Sequence, residues 1–134
     1  KAALANAQIA YASYGDVFCR SRFSNLTSQG AQAQRLLWAS TETKKATDYD
    51  LKYVEGAIGE NTVNTIPPKT LDAFIDHGNI PGVTLKDNLS GAFTTIQRIG
   101  SSIDLPAAFQ KLETDGVGLF VTASRNLVNA VAKK

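Results

Sequence analysis

The chain has 134 residues, 43% hydrophobic and 19% charged, a balance that suits one globular domain and excludes a disordered polypeptide. Lysines and arginines outnumber acidic residues by a formal +2, and they are scattered, so neither nucleic acid nor an anionic membrane is singled out as a partner. One cysteine, Cys19, cannot form an intramolecular disulfide, and beside the single His77 it leaves no set of ligands for a structural zinc ion.

No apolar run reaches the roughly 20 residues of a membrane span, and the N-terminus lacks the charged-then-apolar layout of a secretory signal. The sequence holds no methionine, even at position 1, and Lys1-Ala2-Ala3-Leu4 reads as the middle of a helix. The expectation is a piece of a longer protein.

Taken in order, Leu4, Ala7, Tyr11, Tyr14 and Phe18 recur at spacings of three and four and line one face of an amphipathic helix. Gly15 sits inside the pattern and weakens it. Phe23 to Leu26 suggests a short second helical turn or loop, stopped at Gly30. The polar stretch 29–34 then leads into Arg35-Leu36-Leu37-Trp38-Ala39-Ser40, too short for a helix and too apolar for a loop. It is read as a strand over 35–40, buried on both faces.

Residues 41–50 form a polar loop with Lys44 and Lys45, and Asp48 or Asp50 is expected to cap a short helix through Leu51, Val54 and Ile58, ended by Gly59. A second strand over 61–66 is closed by Pro67-Pro68, which cannot continue a ladder and suit a helix start. That helix turns Leu71, Phe74 and Ile75 inward and stops at Gly78. A turn at 79–82 follows.

Three more helical patterns complete the chain. Leu85, Leu89, Ala92, Phe93, Ile96 and Ile99 define one, up to Gly100. Asp104 caps the next, with Phe109 and Leu112 inward and Gly116 as its stop. Val117 to Val131 form the last. The glycines at 116 and 118 follow no strand and are no nucleotide fingerprint. With no linker and no solenoid repeat, residues 1–134 are read as a single unit.

Two parallel strands alone leave outer edges of unpaired N–H and C=O groups, so the sequence asks for more sheet than it contains. In a (β/α)8 barrel, phosphate sites are often built by the loops after the last two strands. Ser40, Thr41 and Lys44 lie at such a strand end.

At these residues the chain resembles transaldolase of the longer bacterial and plant type. The matching stretches are Arg35-Leu36-Leu37-Trp38-Ala39-Ser40-Thr41, Tyr53-Val54-Glu55, Ile58-Gly59, Asn61 to Pro67, Thr70-Leu71-Asp72-Ala73-Phe74 and Asp76-His77-Gly78. The resemblance spans essentially the whole chain but only the last third or so of such an enzyme. It implies an α/β fold, the C-terminal part of a (β/α)8 TIM barrel, with the seventh strand near 35–40 and the eighth near 61–66. Transaldolases transfer a dihydroxyacetone unit between sugar phosphates through a Schiff base on a lysine of the fourth strand. They use acidic groups on the first and third strands. Those strands are missing, so no lysine here is assigned as the nucleophile and no general acid or base is named.

What carries over is a substrate and phosphate site of Ser40, Thr41 and Lys44, from the family's Ala-Ser-Thr-x-x-Lys pattern. Shorter transaldolases place a phosphate-binding arginine two residues after the serine, where this chain has Glu42. A carboxylate repels phosphate, so Lys44, Lys45 or an arginine elsewhere must take that task. No cofactor and no metal are expected. The implied partners are a sugar phosphate and the remainder of the barrel, or a partner chain, in a reducing compartment: the cytoplasm, or alternatively the plastid stroma. A rival reading is a noncatalytic structural or binding subunit in a larger assembly.

Beside these stand plainer readings. Trp38 is expected to pack in the core or at the mouth, its N–H needing one partner. His77 suits the negative end of a helix. Glu55 and Asp72 are surface charges, and Cys19 a small buried hydrophobe.

Overall fold

The computed structural model describes residues 2–132. They fall into two compact units, one up to Ile96 and one from Gln97, each treated by itself.

The first unit opens with α1 (Ala2–Phe18). Its predicted face is real: Tyr11 stacks near Tyr14, and Tyr14, Phe18 and Phe23 continue as a ladder of rings with centroids 4.9 and 4.8 Å apart. Phe23 belongs to α2 (Ser21–Thr27), which ends in a turn where Gly30 takes φ +92°, a conformation open to glycine at little cost. Cys19, expected inside, is exposed, because the chain between α1 and α2 lies at the surface.

Two strands follow, β1 (Leu36–Trp38) and β2 (Thr62–Asn64), shorter than predicted and paired in parallel. Leu36 faces Thr62, Leu37 faces Val63 and Trp38 faces Asn64. The Thr65 N–H donates to the Trp38 carbonyl at 2.9 Å and extends the ladder past the strand end. The expectation of burial on both faces fails at Leu37, which is 55% exposed. Successive side chains of a strand point to opposite faces, so Leu37 turns away from the face that half-covers Leu36 and Trp38.

Between the strands, α3 (Lys52–Gly56) is shorter than expected and ends at Gly56 rather than Gly59. Neither Asp48 nor Asp50 caps it: Leu51 holds the N-cap position, the Asp48 carboxylate accepts from Lys52 Nζ at 2.9 Å, and Asp50 reaches His77. A charged partner within reach outcompetes a neutral backbone donor. The core lies around α3, where Leu51, Val54 and Ala57 are buried with Ala5 of α1 and Leu85.

Leu85 sits in a 3-10 turn (Thr84–Lys86) stapled to the end of α3 by one hydroxyl. Thr84 Oγ1 donates to the Glu55 carbonyl at 2.7 Å and accepts from the Ile58 N–H at 3.0 Å, satisfying two groups the helix end leaves free. Gly59 makes the approach possible, since a Cβ there would lie 2.6 Å from Leu85 Cδ1 and 3.0 Å from the Tyr11 ring.

Helix α4 (Pro68–His77) starts and stops as predicted, with Pro68 in its first turn and Gly78 after its last. Leu71 and Ile75, predicted to face inward, are exposed, and Thr70 is the buried residue of the helix. The predicted helix over 85–99 is broken in two. Asn88 adopts φ +50° and its Oδ1 accepts from the Gly91 N–H at 3.2 Å, so it caps α5 (Leu89–Gly100) instead of continuing from Leu85.

The second unit consists mainly of α6 (Leu105–Ala132), one helix where two were predicted. Asp104 caps it as expected, its Oδ1 accepting from the Ala107 N–H at 3.0 Å. Gly116 does not stop it, and Phe109 and Leu112 are exposed.

Candidate functional site

The end of β1 is built to turn its polar residues outward. Ser40, two residues beyond the strand, has φ +56°, a left-handed conformation uncommon outside glycine, asparagine and aspartate. Such strain persists where the surroundings enforce it and concentrates at ligand sites. Thr41 turns the other way: it is 4% exposed, and its Oγ1 donates to Asn64 Oδ1 at 2.8 Å. Asn64 ends β2, so this bond locks the two strand ends together on the side where the loop departs.

The loop that follows closes on itself. The Thr43 hydroxyl lies 3.0 Å from both the Tyr49 and the Asp50 carbonyls, sharing its proton between them, and so brings residues 43 and 50 together. Lys44 and Lys45 lie on the arc this tie closes.

A cavity of about 350 Å³ opens at this end of the strands, lined by Trp38, Ser40, Thr41, Glu42 and Lys44, with Leu4 of α1 and Tyr53 of α3. All three residues singled out from the sequence, Ser40, Thr41 and Lys44, therefore meet in one place. Among the described lining residues Lys44 carries the one positive charge; Lys45 does not line the cavity, and Glu42 does. The cavity thus brings hydroxyls, one ammonium group and one carboxylate against an apolar wall.

Asn64 escaped the sequence reading, and the Trp38 N–H departs from it. Asn64 reads as an ordinary strand residue, yet it fixes Thr41. Trp38 Nε1 is buried and finds no hydrogen-bond partner among the described residues, at a position lining the same cavity. A buried donor left unpaired costs about 1–3 kcal/mol.

Glu55, read as a surface charge, instead holds loop ends together: its Oε1 accepts from Tyr49 Oη at 2.9 Å and from the Asn79 N–H at 2.8 Å. Partial loss of water and this carboxylate push the Tyr49 phenol above its usual pKa. His77 ends α4 as expected, and in addition its two nitrogens meet two carboxylates, Asp50 at 3.1 Å and Asp76 at 3.0 Å. Hydrogen bonding to Asp50 first, and to Asp76 second, raises its pKa above the ordinary 6.5.

No lysine among the described residues is buried. A lysine used as a nucleophile needs its pKa lowered by desolvation or a neighbouring cation. Lys52 moves in the opposite direction, held protonated by its bond to Asp48. No group of three or more metal-binding side chains is gathered among the described residues, and no described helix is long and apolar enough to cross a membrane.

Parallel strands with a polar mouth at their C-terminal ends and helices following each one define a partial α/β unit of the kind whose sites lie outside the strand ends. The family described as Transaldolase/Fructose-6-phosphate aldolase matches residues 1–131, and the chain belongs to that family. It is 43% identical over 131 residues to a transaldolase of Mycolicibacterium smegmatis, covering 97% of this chain and 35% of that protein. It is 42% identical to transaldolase 1 of Streptomyces coelicolor over 136 residues, which is 99% of this chain and 35% of the relative. With transaldolase 2 of Nostoc punctiforme the identity is 36% over 137 residues, all of this chain and 36% of the relative. The chain thus spans little more than a third of the curated relatives it matches.

Proposed function

We propose that the chain is the C-terminal portion of a transaldolase and supplies part of its sugar-phosphate site. In this reading β1 and β2 are the seventh and eighth strands of a (β/α)8 barrel, residues 1–134 are one portion of it, and the remaining strands bring the Schiff-base lysine and the acidic groups. The reaction transfers a dihydroxyacetone unit between sugar phosphates in the pentose phosphate pathway, in the cytoplasm. One observation carries the proposal: Ser40, Thr41 and Lys44 line a single cavity at the strand ends of a chain that belongs to this family.

Within the site each group has a distinct task. Lys44 offers three donors and a positive charge to a phosphate dianion, and Ser40 offers a hydroxyl to the sugar or its phosphate. Thr41, committed to Asn64, fixes the strand end from which both are presented. Glu42 sets a limit on how deeply an anion enters, since like charges at short range repel.

The test is turnover of fructose 6-phosphate with erythrose 4-phosphate by this 134-residue chain, with borohydride trapping of any Schiff base. Neither turnover nor a trapped adduct is expected. A trapped adduct on a lysine of this chain would overturn the reading.

A further inference from the structure

The loop that carries Lys44 is anchored at both ends, and its far anchor is a histidine. At the near end Thr41 is buried and bonded to Asn64. The Thr43 hydroxyl then ties the arc to the carbonyls of Tyr49 and Asp50, making residues 43–50 a closed lasso with Lys44 on it. The lasso is staked at Asp50, whose Oδ1 meets His77 Nε2 at 3.1 Å, 27 residues away in sequence. A closed loop whose knot is fixed has lost the conformational freedom that ligand binding would otherwise have to remove.

We propose that His77 is a positioning residue for the anion site: when protonated it clasps Asp50 and holds the lasso in the arrangement that presents Lys44 to the cavity, and when neutral, with one N–H for two carboxylates, it weakens that hold. The proposal rests on the phosphate-facing role given to Lys44 above.

The groups around His77 support a dependence on its charge. Its own helix presents Asp76 to Nδ1 at 3.0 Å, and the loop presents Asp50 to Nε2 and the Tyr49 ring, whose centroid lies 6.3 Å away. From α3 comes Glu55, which takes the Tyr49 hydroxyl and the Asn79 N–H and so braces the same corner. A protonated imidazole donates to both carboxylates at once, whereas a neutral one has a single N–H and must leave one oxygen facing a lone pair. The two carboxylates accordingly raise its pKa. The clasp is tightest below the ordinary histidine pKa and loosens as pH rises through the raised one, when Asp50 and Asp76 compete for the single remaining N–H.

The experiment measures binding of fructose 6-phosphate, and of sulfate as an anion whose charge is constant across the range, to the 134-residue chain by NMR shifts of the loop amides between pH 6 and pH 8.5. The variants are His77→Gln, His77→Arg, Asp50→Asn and Lys44→Ala. Sulfate affinity of the unmodified chain is expected to fall about threefold over that range, the scale of an exposed charge pair. H77Q and D50N are expected to stay at the weak level throughout, and H77R, cationic at every pH, at the strong level. H77Q following the unmodified chain at both pH values, while K44A loses binding, would overturn the clasp and leave the site standing. K44A binding both anions as well as the unmodified chain would overturn the site, and the clasp with it.

Discussion

At the scale of single residues, the site depends on a few hydrogen bonds that commit polar groups in a half-dry place. Thr41 is the clearest. Replacing it by valine keeps the shape and removes the donor that Asn64 Oδ1 accepts from. A loss of about 1–3 kcal/mol is expected, read from the urea midpoint, with Thr41→Ser losing far less. His77 is the second case. Its NMR titration midpoint is expected above 6.5 and lower in Asp50→Asn, since Asp50 is the larger cause of the rise. The sign of the linkage follows: because the folded-state pKa is raised, the stabilisation from these contacts is complete below about 6.5 and fades as pH climbs through the raised value. That Ser40, Thr41 and Lys44 gather where β1 ends was legible from the sequence, because an apolar run that ends in hydroxyls and a lysine marks a strand mouth. Asn64, Glu55 and the Asp50–His77 contact were not, because each joins residues far apart in the chain and no local spacing announces it.

At the scale of elements, local signals succeeded where they coincided with a real change of backbone and failed where they did not. Pro67-Pro68 and Gly78 bounded α4, and Asp104 capped α6, because a missing donor or a free helix end acts within a few residues. Gly116 was a poor guide. It lies inside α6 with open space around the position of a Cβ, so nothing forces a left-handed turn there and the helix runs on. Gly118, equally open, carries only the entropic cost of glycine in a helix. Gly118→Ala is therefore expected to raise the helical signal in far-UV circular dichroism and to add up to about 1 kcal/mol to the stability of α6. The same reasoning inverts at Asn88: its side chain can cap, so a continuous apolar pattern over 85–99 was cut at a residue whose role is to start a helix.

At the scale of the whole molecule, the apolar surface is the dominant fact. Ile75 and Ile80 in the first unit, and Leu119 and Phe120 in the second, are exposed, Phe120 by 82%. Large apolar side chains exposed in such number suit covering by further chain or by a partner. A two-stranded parallel sheet, with Leu37 open on one face, has the same character. Both accord with the proposed portion of a barrel, in which the missing strands pair the open edges and further helices cover the apolar faces. Two parallel strands set among helices were legible from the sequence because two short apolar runs alternated with helical patterns. Which apolar faces stay open was not, because periodicity tells what a face wants and leaves unsaid whether this chain supplies it.

The most direct measurement joins the two parts. The segment of the Mycolicibacterium smegmatis transaldolase that matches this chain is replaced by residues 1–134, and the chimera is assayed with fructose 6-phosphate and erythrose 4-phosphate. Turnover is expected, with the Schiff-base adduct trapped outside residues 1–134 and the KM for sugar phosphate raised by Lys44→Ala. A chimera that folds but does not turn over, or one whose trapped lysine lies within these residues, would contradict the account.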